Sequence, residues 1–309
     1  MSSDRDAVFY PPPPPPPPPV LPLLFNDLPQ FSSTCTLIPL HTNCTVVNVL
    51  PCTCRRNPEQ ELLDTRNRLW QYEGTPDPPH VSYYRYIEPV LQDGPKCGLV
   101  ALSMASSCTS HPLSVEELFQ EARAHGFTNH GEMFSVDDMA TLAQEMFRHS
   151  CREVEVLPGG LGQDKDYVIK QLTRGSILLI PYPLNIEGIV EVLMCSEGGY
   201  SYDADANHSP CCRRGHKAHW AVVSGVILSA TAQRTCHLLA RQGKSRHLAV
   251  WPYDDLQRSN ENLVELDPGR ASDGRVYVLP PGGVAAGLGG RAILLHGLGV
   301  DQCDMAGCL

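Results

Sequence analysis

Apolar positions recur at helical spacing up to about residue 175 of this chain, and beyond it they gather into short runs. Gly98 to Ala105 is almost wholly apolar and reads as a buried helix. Ser114-x-x-Glu117 is a capping-box pattern, with Val115, Leu118, Phe119 and Ala122 on one face and Gly126 placed to end the helix. Ser135-x-x-Asp138 opens another helix, with Met139, Leu142 and Met146 on its apolar side. Asp166 to Leu172 is a shorter one, closed by Gly175. The runs that follow predict strands: Ser176–Tyr182, His219–Val226, Thr235–Arg241, His247–Trp251, Arg275–Leu279 and Ala292–Leu295. Helices first and closely spaced strands second argue an α+β domain with an antiparallel sheet, not a doubly wound α/β fold.

The N-terminal part follows neither period. Pro11 to Pro19 are nine consecutive prolines, followed by Val20-Leu21-Pro22-Leu23-Leu24. Proline lacks the backbone N–H, so this run is expected to be an exposed polyproline II helix. Such a segment is a stiff linker or a ligand for an aromatic-lined groove. The absence of charge beside it favours profilin over an SH3 domain. Cys35, Cys44, Cys52 and Cys54 lie in a Thr/Asn/Pro-rich stretch, and Cys52-x-Cys54 lacks the usual two-residue zinc spacing. The expected organisation is therefore a disordered, proline-rich and cysteine-containing region over 1–80, with one short helix near Glu59–Trp70, and a folded domain over 81–309.

Composition narrows the function. The chain has 309 residues and a net charge of −10, without a long basic run, which argues against nucleic acid. No apolar stretch approaches the roughly 18–20 residues that span a bilayer. MSSDRDAVFY is not a secretory signal, so the 13 cysteines are expected to be reduced thiols in the cytoplasm.

The candidate chemistry begins at "QDGPKCGLVALSMA", residues 92–105. Asp93-Gly94-Pro95 is a turn, which puts Cys97 at a helix N-terminus. Free backbone N–H groups and the positive end of the helix dipole collect there and favour thiolate over thiol. A buried core cysteine is the bland alternative. A cysteine protease also needs an imidazole, a group to orient it, and oxyanion donors. Gln92 and the Cys97 backbone N–H suit the last role. His219, at the head of an apolar strand, suits the general base, with His216 in the adjoining turn read as exposed. The third member is Asp254 or Gln242, with Asp254 preferred for its charge. Asp203 and Asp205 read as surface or loop residues. Arg213, Arg214 and Lys217, just before His219, are candidates for holding acidic residues of a substrate. A zinc site from His208, Cys211, Cys212, His216 and His219 is a competing reading, though its spacing matches no common site. A proline-rich adaptor without activity is another.

Gln92-x4-Cys97-Gly98 at a helix start, with His219 opening a later strand, resembles the papain-like and C39-like cysteine peptidases. Longer strings are more specific: "QDGPKCGLVAL", "HGEMFSVDDMATLAQE", "LPGGLGQ", "GHKAHWAVVSGV", "RQGKSRHLAVWPYDDLQRSN" and "DGRVYV" resemble the actin maturation protease family of animals over about residues 87–295. The resemblance implies a papain-like fold and a thiol aminopeptidase that removes the N-acetylated Met or Cys from new actin. It also implies Cys97 as nucleophile, His219 as base, no cofactor, and a polyproline segment that binds profilin. One stretch is not expected from the family: about twenty residues, 183–202, between "LLIPY" and "DADANHSPC".

Overall fold

The structure is a computed structural model and describes residues 46–49, 58–73, 80–184, 208–229 and 235–299. The polyproline run Pro11–Pro19, Cys35, Cys44, Cys52, Cys54, Asp203, Asp205 and all but the start of 183–202 lie outside the described residues.

Among those residues eight strands form one sheet. In chain order they are β1 (Val46–Val49), β2 (His80–Tyr84), β3 (Glu153–Leu157), β4 (Ile177–Pro183), β5 (Ala218–Ser229), β6 (Cys236–Gln242), β7 (Ala249–Pro252) and β8 (Ala292–His296). The order is β1-β2-β5-β4-β8-β3, with β6 on β5 and β7 on β6. Every pairing is antiparallel except β1 with β2. β5 is the hub. One edge carries β4 along Ala218–Val223 and β2 along Gly225–Ser229, while β6 pairs with the other. A bulge between Val223 and Gly225 lets β5 change partner. Gly225 suits it, because a Cβ there would lie 2.3 Å from the Tyr83 carbonyl oxygen.

Helices cover both faces. They are α1 (Pro58–Glu73), α2 (Cys97–Ser106), α3 (Val115–Ala124), α4 (Val136–Met146), α5 (Lys165–Thr173), α6 (Tyr253–Glu261) and the short α7 (Pro268–Ala271) and α8 (Gly283–Gly287). Leu99, Leu102, Leu118, Met139 and Leu142 of α2–α4 pack with Ile177, Leu179, Trp220 and Val222. Val168, Leu172 and Leu256 of α5 and α6 pack with Leu178, Ile180, Ala221 and Val223. Successive residues of β4 therefore serve opposite cores, and all of β4 is buried. That is why Ile177–Pro183 reads as a continuous apolar run without alternation.

The expected caps form. Ser114 and Glu117 close a reciprocal capping box on α3, and Ser135 Oγ accepts the Asp138 N–H at 3.1 Å on α4. α5 starts one residue before its expected opening, with the Asp164 carboxylate accepting the Tyr167 N–H at 2.8 Å. Three expectations change. The stretch Arg275–Leu279 is not a strand: Val276 is exposed, and Asn129 Nδ2 donates to its carbonyl at 2.9 Å in place of a ladder. β3, a Glu-Val-Glu-Val alternation absent from the expected strands, pairs along the whole of β8. The folded unit also reaches back before residue 80, through β1 and α1.

α1 is anchored by charge as well as by Leu62 and Leu69. Arg241 on β6 is fully buried and bonds both Glu61 oxygens at 2.7 and 2.6 Å. The Tyr84 hydroxyl donates to Glu61 at 2.9 Å, and the Tyr86 ring lies 5.4 Å from the guanidinium. Burial pushes the Tyr84 hydroxyl well above the usual tyrosine range, so it stays a donor. Truncating one partner of such a pair leaves a buried charge uncompensated. Glu61→Gln is therefore expected to lower unfolding stability by about 3 kcal/mol in chemical denaturation, and Glu61→Gln with Arg241→Met to recover part of the loss. Unchanged stability in the single variant would mean that this anchor does not hold α1.

Candidate active site

The turn at Gly94, where φ is +69°, delivers the chain into α2, and Cys97 is its first residue. No side chain caps this end of α2, so backbone N–H groups of its first turn have no helical acceptor. Gly98 follows because there is no room for more: a Cβ would lie 2.6 Å from Met139 Cε and 3.1 Å from Met133 Cβ. α2 thus sits tightly on the segment Gly131–Phe134. The same segment is tied to β5, since Trp220 Nε1 donates to the Met133 carbonyl at 3.0 Å.

His219 precedes that tryptophan and is 4 % exposed. In the β4–β5 ladder it faces Tyr182, whose ring meets the imidazole edge-on at 5.9 Å. The Cys97 sulphur lies at the same place: the backbone N–H groups of Trp220 and Gly98 point at it. Structure therefore brings the expected nucleophile to the peptide next to the expected base.

The expected electrostatics needs correcting. Burial pushes the Cys97 thiol up from its ordinary value, against the opposing pull of the Trp220 N–H, the Arg270 charge, the Gly98 N–H and the Lys244 charge. Burial likewise pushes His219 down to about 3, helped by the positive charges of Lys244 and His208, with only the Gln242 hydrogen bond opposing. The helix N-terminus does favour thiolate, but desolvation outweighs it. The resting pair is a neutral thiol beside a neutral imidazole, and His219 Nε2 is buried without a hydrogen-bond partner.

Gln242, not Asp254, is the neighbour of the imidazole. Strand register explains why. β6 places Gln242 opposite Ala221, near the start of β5, and His237 opposite Ile227. β7 then puts Pro252 opposite His237. Asp254 follows at the far end of the sheet, where its carboxylate bonds Lys165 Nζ at 2.7 Å. From His219 to Ile227 is eight residues of strand, roughly 26 Å. Gln242 is in turn held by the Lys244 N–H, which donates to its Oε1 at 2.6 Å.

Gln92 comes to the same corner. Its backbone N–H donates to the Gly243 carbonyl at 2.7 Å, and a Cβ on Gly243 would lie 2.8 Å from Gln92 Cβ. Its side-chain amide donates one hydrogen to the Gly94 carbonyl, which leaves the second N–H for another acceptor. The basic turn is less available than its sequence implies. Arg214 and Lys217 both take left-handed backbone, with φ of 57°. Arg214 Nε and His216 Nε2 lie 3.0 and 2.9 Å from one carboxylate oxygen of Glu265, so the Arg214 charge and the His216 ring are committed there. The zinc reading fails on geometry. Among the described residues the ligand atoms of only Glu121, His125 and Glu145 lie within 4.8 Å of one another, so His208, Cys211, Cys212, His216 and His219 do not converge. Sequence reasoning missed Lys244 and Arg270, whose charges act on Cys97, and nothing in their spacing marks them.

The profile of the family described as actin maturation protease-like, C-terminal domain, matches residues 87–189 and 192–227. Its two pieces meet inside the 183–202 stretch. The actin maturation protease of Xenopus tropicalis is 37% identical over 243 residues, covering 69% of this chain and 73% of that protein. That of Drosophila melanogaster is 37% identical over 235 residues, covering 75% and 76%. The human one is 40% identical over 243 residues, covering 67% and 63%. A crystal structure from Bacillus anthracis, described as that of a C39-like peptidase, is a distant likeness: 12% identity, 68% of this chain and 97% of that one, TM-score 0.35. The relatives make the chain a peptidase. It belongs to the actin maturation protease family.

Two outcomes follow from the geometry. His219 has a folded pKa of about 3 against an ordinary 6.5, so between these values the unfolded chain binds the proton and the folded chain does not. Stability therefore rises with pH through that window and is lost as pH falls. Going from pH 6.5 to 5 is expected to cost the wild type about 2 kcal/mol through this one group. His237, pushed by burial to about 4, adds a fall of the same sign. Denaturation of His219→Gln at both pH values should show the smaller loss; equal losses would contradict the buried neutral imidazole. For activity, Gln242→Ala is expected to lower kcat on the order of 10²-fold, and Asp254→Ala to leave kcat near wild type. The reverse ranking would restore Asp254.

Proposed function

We propose that this chain is a cysteine-type peptidase that removes the N-acetylated Met or Cys from immature actin. The observation that carries the reading is the seating of the Cys97 sulphur, at the head of α2, against the His219–Trp220 peptide. Family membership supports actin as the substrate, since the relatives are named for actin maturation.

The chemistry follows from the neutral resting pair. As Cys97 Sγ attacks the carbonyl carbon of the acetylated first residue, its proton passes to His219. Gln92 and the Cys97 backbone N–H receive the developing oxyanion. His219 then gives the proton to the leaving amine, which is the new actin N-terminus. Water, with His219 as base, hydrolyses the acyl-enzyme. Gln242 holds the imidazole in orientation and stabilises the imidazolium by its side-chain oxygen. This route calls on no metal or organic cofactor. Pro11–Pro19 would be the segment that profilin binds, bringing profilin-bound actin to the enzyme in the cytoplasm. Among the described residues no helix is long and apolar enough to cross a membrane.

The test is mass spectrometry of profilin-bound actin that retains its acetyl-Met, incubated with wild type or Cys97→Ala. Loss of one acetyl-Met with wild type alone is expected. Deleting residues 1–25 should reduce the rate without abolishing it. Cleavage by both Cys97 forms would remove this cysteine as nucleophile. Activity in cells that survives Cys97→Ala but not the deletion would favour an adaptor.

A further inference from the structure

Two stretches that stand out in the sequence, His130-Gly-Glu-Met-Phe134 and Asp273-Gly-Arg-Val-Tyr-Val278, have no part in the reaction above. They pack on each other and on the helix that carries Cys97. Residues 131–133 run beside residues 96–98. A Cβ on Gly131 would lie 2.6 Å from Lys96 Cγ, and one on Gly98 would lie 3.1 Å from Met133 Cβ. These two contacts flank Glu132 and leave it level with Cys97. The Glu132 side chain is only 7% exposed, so its carboxylate needs a partner. Arg270 of α7 supplies one, its Nη1 donating to Glu132 Oε1 at 2.9 Å. The guanidinium is itself held, 5.4 and 5.2 Å from the rings of Phe134 and Tyr277, which meet edge-on at 5.9 Å. Asn129 Nδ2 donates to the Val276 carbonyl at 2.9 Å, so the strap 270–277 grips 129–134 at both ends. The other titratable groups of this corner are His219, His208 and Tyr182, linked through the Tyr182 ring and hydroxyl. Lys244 lies beyond Gln242, and Lys96 pairs with Glu116 at 3.1 Å.

We infer that Glu132 and Arg270 are positioning residues for Cys97: their ion pair clamps the 131–133 peptide against 96–98 without leaving a net charge beside the sulphur. This inference rests on the reading of Cys97 as nucleophile. A lone carboxylate at this place would oppose a thiolate, and a lone guanidinium would favour one. Paired, the two largely cancel. What remains is the grip itself. Gly131 and Gly98 leave no space between the two peptides, so the backing of Cys97 holds as long as the strap holds Glu132. Trp220 Nε1, bonded to the Met133 carbonyl at 3.0 Å, carries the same backing to the strand of His219. The clamp thus fixes the sulphur relative to the imidazole, a distance on which transfer of the thiol proton depends.

The test follows iodoacetamide alkylation of Cys97 against pH, read by mass spectrometry of the peptide that carries it. It is paired with kcat and KM on acetyl-Met actin bound to profilin, and with urea unfolding. Arg270→Met bares the carboxylate and should slow alkylation at neutral pH about tenfold, moving the profile to higher pH. Glu132→Gln bares the cation and should move the profile to lower pH. Glu132→Gln combined with Arg270→Met leaves no buried charge, so it is the variant to rely on where Arg270→Met does not fold. It should return the profile close to wild type, yet lower kcat about tenfold with KM kept, because the grip is lost. Profiles that shift the same way in both single variants overturn the inference, as does a double variant with wild-type kcat. A loss confined to the urea midpoint also overturns it, since the pair would then serve the fold alone. Wild type that is alkylated at Cys97 but cuts no acetyl-Met actin instead removes the peptidase reading, and this inference with it.

Discussion

The structure depends on one seam, where the first turn of α2 meets the start of β5. Gly98 lets the helix reach Met133, Trp220 ties Met133 back to the strand, and the Cys97 sulphur sits at the Trp220 N–H. The seam is both core and site. Leu99, Leu102 and Trp220 belong to one buried cluster, so the helix that carries Cys97 cannot shift without opening the interior. Close packing of this kind holds reacting groups to a fraction of an ångström, which side chains on free loops cannot do.

The same burial sets the electrostatic character of the pair. Moving charge into an apolar corner is costly, so Cys97 keeps its proton and His219 refuses one. A buried neutral imidazole costs acid stability, since the unfolded chain takes up a proton that the folded chain refuses. In the proposed reaction charge develops as the thiol attacks, and the α2 N-terminus and Gln92 meet the oxyanion.

Much of this was legible in the sequence, for identifiable reasons. Caps and helical faces are local, and Ser114, Glu117 and Ser135 act within one turn of themselves. The placement of Cys97 at a helix start and of His219 at a strand start was legible because a glycine-proline turn before an apolar helix and a histidine before an apolar strand are local too. What escaped depends on register and on distant packing. The choice of Gln242 over Asp254 turns on which residue of β6 faces Ala221, and no local pattern carries that. β1 and α1 fell outside the expected domain because their anchor, Arg241, lies 180 positions from Glu61. The basic turn misled because Glu265, which neutralises part of it, is 51 positions from Arg214.

The central claim is that Cys97 itself becomes acylated. The most direct measurement is acid quench of the enzyme within milliseconds of mixing with an acetyl-Met ester, followed by intact and peptide mass analysis. The account predicts an acetyl-methionyl thioester on the peptide containing Cys97, absent in Cys97→Ser and accumulating far more slowly in His219→Ala. Turnover of the ester with no adduct at Cys97, or with the acyl group on another residue, would contradict it.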